Sequence, residues 1–248
     1  MQRITIDQRQ IQDSSLILEA DQVHYLRRVL RMGAGDRFIA QDGQGQQWLA
    51  ALTEQPRSAQ IIETAAQERS RSLLTLVAAL PKGNGFDQVV RQTTELGVTH
   101  IFPVLSQRTL LNPSERKLSR WRRIAQEAAE QSERMTVPNI SPPVDFQQCL
   151  AQLDRAEDSN PGLRYLCVAR SIGSMPPPHL LAHLQSQLTS ATPVTLAVGP
   201  EGGWTPDEIT AAIARRYVAV SLGPVILRAV TAPVTALSLV TAARELLV

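Results

Sequence analysis

The chain has 248 residues, 43% of them hydrophobic, enough to core one large domain or two small ones. Its two cysteines, Cys149 and Cys167, form no C-x-x-C pair, so neither a disulfide framework nor a zinc site follows, and no metal is expected. The first ten residues carry no apolar signal region, and no apolar run approaches the ~20 residues needed to span a bilayer, so the expected setting is the cytoplasm, with no membrane partner.

Residues 1–68 alternate short apolar runs with turn signals such as Gly33-Ala34-Gly35-Asp36 and Asp42-Gly43-Gln44-Gly45. Arg37–Ala40 and Trp48–Leu52 flank the second of these and predict a β-hairpin. One helix is expected near Asp21–Arg31, with Val23, Leu26, Val29 and Leu30 near one face and Arg27, Arg28 and Arg31 elsewhere. A small β-barrel with one helix fits this pattern. The polar span Ala66–Ser72 lacks apolar periodicity and is the expected domain boundary.

From Leu73 the pattern changes. Leu73–Leu80 is a continuous apolar run, as in a strand buried on both faces. Phe86, Val89, Val90, Thr93 and Leu96 recur at helical spacing, and Gly97 can end that helix. Ile101–Leu105 reads as a strand. Asn112-Pro113-Ser114-Glu115 opens a helix running to about Ser132. A Pro-rich loop over Val137–Val144 and a polar one over Asp154–Gly162 follow. Leu163–Ala169 is a strand, Gly173–Pro178 a loop and His179–Leu188 a helix. Val194–Val198 and Val218–Val220 are strands, and Ala232–Leu247 is the last helix. Between those strands, Thr205 as N-cap, Pro206 and Glu208 make a capping box. Strand and helix in alternation predict an α/β domain over residues 73–248, with an open, mostly parallel sheet and helices on both faces.

The apolar runs Val194–Val198 and Val218–Val220 each end in a glycine-containing loop, Gly199-Pro200-Glu201-Gly202-Gly203 and Leu222-Gly223-Pro224. Such carboxyl-end loops are where α/β proteins hold ligands. Neither GxxxxGK[ST] nor a strand-borne GxGxxG occurs. Pro200 lacks an amide and Glu201 puts a carboxylate in the middle of its loop, so a phosphate would be opposed by charge. A cationic or neutral ligand suits the loop better. Basic clusters occur elsewhere: residues 22–32 hold Arg27, Arg28 and Arg31 and no acid, and residues 107–134 hold seven Lys/Arg against four Glu. Either could face phosphates, or could be a solvated helix face.

Four ordered blocks carry a family resemblance: His24-Tyr25-Leu26-Arg27-Arg28-Val29-Leu30-Arg31, Thr94-Glu95-Leu96-Gly97-Val98, Glu127-Ala128-Ala129-Glu130-Gln131-Ser132, and the carboxyl-terminal GPEGG with SLGPVILRAVTAP. The chain resembles the RsmE family of bacterial ribosomal RNA uridine-N3 methyltransferases, in the SPOUT superfamily. The resemblance implies a PUA-like RNA-binding barrel over 1–68 and a SPOUT methyltransferase domain over 73–248. It also implies a trefoil knot in which the segment around Leu222–Thr231 threads the loop holding Gly199–Gly203. Implied partners are small-subunit (16S) ribosomal RNA or the assembled small subunit, and a second copy of the chain in a homodimer.

S-adenosylmethionine is the implied cofactor. Gly199, Pro200, Gly202 and Gly203 from the first loop would hold it. So would Leu222, Gly223, Ile226, Leu227, Ala229, Thr231 and Ala232 from the second. Leu196 is also of the right type for packing adenine, but reads better as core. Methylation at N3, on the Watson–Crick edge, requires an unpaired or flipped uridine and a group that handles the N3 proton. Candidates are Arg108, Glu201, Arg228 and Glu127, the last on a helix face that could equally be solvated; Glu130 on the same helix reads as a solvated-face residue. His24, Arg27, Arg28 and Arg31 are the candidate RNA contacts.

The chain departs from the family at two positions. The loop commonly reads L-R-x-E-T-A, and Val230 stands at the acidic place; Glu133 stands where a small residue is expected. Two alternatives therefore stay open: a non-catalytic RNA-binding or ribosome-assembly factor on the same scaffold, and a SPOUT enzyme acting on another nucleotide.

Overall fold

A computed structural model describes residues 1–67, 72–109, 113–156, 162–170 and 176–247. The expected cap Asn112 and parts of the expected loops at 66–72, 154–162 and 173–178 lie outside the described residues. The chain divides into two compact units. The first comprises Met1–Ser70 with Gln126–Val137, the second Arg71–Ala125 with Pro138–Val248.

The first unit is a barrel-like six-stranded sheet. In chain order its strands are β1 (Arg3–Thr5), β2 (Ile11–Gln12), β3 (Ser15–Ile17), β4 (Arg37–Gln41), β5 (Gln46–Leu52) and β6 (Ser58–Gln67). They lie in the order β1-β4-β5-β6-β3-β2, with only β1 and β4 parallel. The hairpin β4–β5 pairs Arg37 with Ala51 and Gln41 with Gln47. Asp42 closes its turn by accepting the amides of Gln44 (2.7 Å) and Gln46 (3.0 Å). The core is aliphatic around Phe38, with Ile4, Ile6, Leu16, Leu18, Leu26 and Leu52 buried.

The expected helix over 21–31 is regular only through α1 (Ala20–Val23). From His24 to Val29 it widens, and the amide of Leu30 bonds the carbonyl of Tyr25 five residues back. The wider turn keeps Leu26 in the core but leaves Val29 56% exposed, so Val29 does not join that face as its spacing suggests. Arg31, at φ 57°, ends the segment.

The last residues of α3 (Glu115–Gln131) and the turn after it also belong to this unit. Glu130 accepts the amide of Thr5 in β1 at 2.7 Å, so it is not the solvated-face residue its position suggests. Glu133 bonds Arg3 at 2.7 Å. It sits at φ 60°, where a residue without Cβ is easiest, which accounts for the small residue expected there.

The second unit is a seven-stranded, wholly parallel sheet. Its strands are β7 (Leu74–Ala79), β8 (His100–Leu105), β9 (Asn139–Ile140), β10 (Val144–Asp145), β11 (Leu163–Cys167), β12 (Val194–Val198) and β13 (Val218–Val220). The order is β10-β8-β7-β12-β11-β13, with β9 also on β8. The helices are α2 (Gly85–Glu95), the start of α3, α4 (Phe146–Ala156), α5 (Leu180–Gln187), α6 (Pro206–Ile213) and α7 (Thr231–Glu245).

Helices cover both faces, and the strand register shows why. Val77, Ala197 and Leu166 are in register across β7, β12 and β11, and pack with Phe146, Leu150 and Leu153 of α4 and Ala212 of α6. Leu76, Leu196 and Tyr165 are in register on the opposite face. Tyr165 there bonds His183 of α5 at 3.0 Å, and α5 packs on α7. Leu196 is fully buried, as its core reading requires.

β9 and β10 were not expected at the Pro-rich stretch, nor α4 between it and the polar one. Asp145 caps α4 by accepting the amide of Gln147 at 2.8 Å, and Phe146, Cys149, Leu150 and Leu153 bury one side of it.

Candidate functional site

The carboxyl ends of β8, β11, β12 and β13 enclose a cavity of about 420 Å³. Its walls are Cys167–Arg170 after β11, Val198–Trp204 after β12 and parts of Leu222–Ala232 after β13, with Arg108 from the turn after β8. β7 lies centrally, with β8 on one side and β12 on the other. The chain therefore reverses its winding there, the place where open parallel sheets leave room for a ligand.

Two glycines of the first loop are there because neighbours press on them. A Cβ on Gly199 would lie 3.2 Å from the Trp204 indole, which stacks on Phe146 with ring centroids 4.2 Å apart. A Cβ on Gly202 would lie 3.1 Å from Cδ of Arg108, whose stem crosses it. The Arg108 guanidinium donates to the Gly202 carbonyl. Gly203 (φ 70°) and Gly223 (φ 138°) need their backbone freedom. Glu201 accepts the amide of Lys82, from the loop after β7, at 3.0 Å.

Arg108 sits in a turn closed by Ser106 and Thr109. The Ser106 amide donates to Thr109 Oγ1 and the Thr109 amide to the Ser106 carbonyl, both at 3.0 Å. Glu208, only 2% exposed, accepts the next amide, that of Gln107, at 2.8 Å. Its other oxygen accepts the Thr205 amide at 2.8 Å and the Thr205 hydroxyl at 3.1 Å, completing the capping box of α6. Burial pushes the Cys167 thiol up to about 12, so this side chain stays protonated near pH 7.

Ten of the eleven residues expected to hold the cofactor line the cavity: Gly199, Pro200, Gly202, Gly203, Leu222, Gly223, Ile226, Leu227, Ala229 and Ala232. Thr231 instead begins α7, outside the lining. Arg108 and Glu201 line it, whereas Arg228 is exposed beside it. Val230 is not a lining residue either; its side chain faces Gly85 at the start of α2. Glu127 is exposed on α3.

Lining residues that the sequence reading missed are Cys167–Arg170, Val198, Trp204, Ile209 and Val225. Arg170 follows a strand, a signal available but not used. In the first unit His24, Arg28 and Arg31 are exposed. Arg27 is turned onto the loop between β5 and β6, donating to the carbonyls of Thr53 (2.8 Å), Gln55 (3.0 Å) and Pro56 (3.0 Å).

Residues 68–241 match the family model for an RNA methyltransferase domain, and residues 18–64 the model for an RNA methyltransferase PUA domain. Over 245 residues the chain is 44% identical to ribosomal RNA small subunit methyltransferase E of Synechocystis sp., covering 98% of this chain and 78% of that one. The chain belongs to the family of ribosomal RNA small subunit methyltransferase E. The family member of Bacillus subtilis is 32% identical, with 100% of this chain and 98% of that one covered. The structure of the member from Neisseria gonorrhoeae, solved bound to S-adenosyl methionine, superposes with a TM-score of 0.77. It is 28% identical, and the match covers 96% of this chain and 95% of that one.

Among the described residues no group of three or more His, Cys, Asp or Glu is placed to hold a metal ion, and no helix is long and apolar enough to cross a membrane.

Proposed function

We propose that this chain methylates N3 of a uridine in small-subunit (16S) ribosomal RNA, using S-adenosylmethionine. The observation that carries this reading is the carboxyl-end cavity in a chain of this family. Its volume of about 420 Å³ lies in the range of small-molecule sites. Its glycines present backbone, and a Cβ at Gly199 or Gly202 would crowd the wall. Leu222, Ile226, Leu227 and Ala229 give an apolar slot for an adenine, and Glu201 gives a carboxylate for a cation.

When bound there, the cofactor supplies a methyl group carried on a sulfonium. The chain's own residues bring the acceptor into line and handle its proton. Glu201, anchored through one oxygen on the Lys82 amide, takes up the N3 proton. Arg108 spends one N–H on Gly202 and offers the others to the uracil oxygens, where negative charge develops as that proton leaves. Arg228, exposed beside Leu227, is assigned to the RNA side of the site.

The same reading assigns residues 73–248 to methyl transfer and residues 1–68 to gripping RNA through His24, Arg27, Arg28 and Arg31. Arg27 acts there by shaping the loop it holds. We assign Thr231 to the cofactor side, at the entrance to α7. The two loops share one cavity, which supports the trefoil knot in which 222–231 threads the Gly199 loop. Val225 and Ile226, 68% and 66% exposed beside the cavity, support burial against a second copy in a cytoplasmic homodimer.

Val230 lies outside the lining, so the loss of an acid there leaves the cavity intact. Mass spectrometry of ribosomal RNA nucleosides from a deletion strain tests the reading: 3-methyluridine should vanish and return with the gene. A normal level in the deletion strain would overturn it. Calorimetry separates catalysis from the binding-only alternative, which requires that micromolar S-adenosylmethionine gives no heat.

A further inference from the structure

We propose that Glu208 is a positioning residue for the reaction: its buried carboxylate sets the main chain that aims Arg108 into the cavity. The inference rests on the role given above to Arg108. The capping box explains only half of what Glu208 does. Its Oε2 serves α6 through Thr205, but its Oε1 reaches across 101 residues of sequence to the amide of Gln107. That amide belongs to the residue directly before Arg108. The turn carrying Arg108 is thus held at three points. Ser106 and Thr109 close it on itself, Glu208 ties Gln107 to the start of α6, and the Arg108 guanidinium returns to Gly202.

α6 follows the Gly199–Gly203 loop directly, so one carboxylate locks the turn after β8 to the segment that follows β12. Both carboxylate oxygens act as acceptors from backbone N–H groups, and the residue is 2% exposed, so water cannot take over either bond. Glu208→Gln would place an NH2 group against one of the two amides, donor against donor. Glu208→Asp keeps the charge at the helix start and the approach to Thr205. It is one methylene too short to hold Gln107 as well.

A double-mutant cycle on the full chain separates positioning from simple structural support. Methyl transfer to ribosomal RNA is measured at saturating cofactor and RNA for the wild type, Glu208→Gln, Glu208→Asp, Arg108→Ala and both double variants. Displacing a reacting group by about 1 Å costs up to a hundredfold, so each single Glu208 variant should lower kcat by on the order of tenfold to hundredfold. In the Arg108→Ala background the same changes should alter kcat by less than about twofold, because there is no longer a guanidinium to misplace. The dissociation constant for S-adenosylmethionine should stay within about threefold throughout, since the lining itself is unchanged.

Equal losses in both backgrounds would show that Glu208 only supports the fold, and would overturn the inference. So would full activity in both single Glu208 variants while Arg108→Ala is impaired, an outcome that leaves the role of Arg108 standing. Full activity of Arg108→Ala would remove the premise instead. Should Glu208→Gln fail to fold, Glu208→Asp carries the same comparison.

Discussion

At the scale of single residues, the cavity wall turns on how a glycine is replaced. Gly202 has no positive φ, so its backbone accepts an alanine, but the new Cβ would stand 3.1 Å from Cδ and 3.4 Å from Cβ of Arg108. The neighbour that must give way is the arginine stem. Gly202→Ala should therefore leave the unfolding free energy measured in urea nearly unchanged, within about 0.5 kcal/mol, while kcat falls by about tenfold. Gly203 offers the contrast. No atom lies within 4 Å of its would-be Cβ, yet its φ is 70°, so alanine there costs about 1 kcal/mol in backbone conformation and presses on nothing. If Gly202→Ala keeps full activity, the Arg108 stem is not held where the mechanism needs it.

At the scale of elements, what could be read from the chain was what short-range chemistry decides. Thr205, Pro206 and Glu208 specify the start of α6 within four positions, and the structure has that cap. Gly97 ends α2 at φ 91° as its place after Leu96 suggests. The glycine loops marked the cavity for the same reason, because glycine is the visible trace of a backbone that must turn or be approached. The segment Cys167–Arg170 carries no glycine or proline and was missed, although it forms a wall. Two-residue strands such as β9 and β10 exist only because β8 is beside them, and no local pattern announces them. The second bond of Glu208 was invisible for the same reason. α4 was legible in principle, with Asp145 as cap and Phe146, Cys149, Leu150 and Leu153 at helical spacing, but it sits between prolines and a polar stretch that dominate the composition.

Glu130 shows how a long-range bond changes the meaning of an element. By spacing it is one more charge on α3, yet its carboxylate holds the Thr5 amide of β1, a strand whose sheet pairing is with β4 alone. Removing the acceptor leaves a partly buried amide unsatisfied. Glu130→Ala should destabilise the protein by about 1–3 kcal/mol. It should also raise hydrogen exchange at Thr5 while leaving exchange in β5 and β6 unchanged, because those strands pair with each other along most of their length. Unchanged protection at Thr5 would mean that this bond does not hold the strand.

At the scale of the whole molecule, several buried ionisable groups make stability depend on pH with a definite sign. Burial pushes the thiols of Cys149 and Cys167 up from 9.0 to about 12 and the phenol of Tyr165 up from 10.0 to about 12. In the folded chain these groups keep their protons where the unfolded chain loses them. Above pH 9 the unfolded state binds fewer protons, so stability falls as pH rises, progressively toward about 12, and the contribution is fully present below pH 9. His100 acts at the other end. Burial lowers its pKa from the ordinary 6.5, so the unfolded chain takes up a proton first and stability falls as pH drops below that value. Urea midpoints measured under reducing conditions from pH 5.5 to 10.5 should thus form a plateau between about pH 7 and 9, with a descending alkaline limb. Cys149→Ala lowers the whole curve by opening a space against Leu150 and Leu153, but its alkaline limb should be shallower, because one thiol no longer contributes to the proton balance. A wild-type midpoint that stays level to pH 10.5 would mean that these thiols ionise as freely in the fold as outside it, and that the interior beside the cavity admits water.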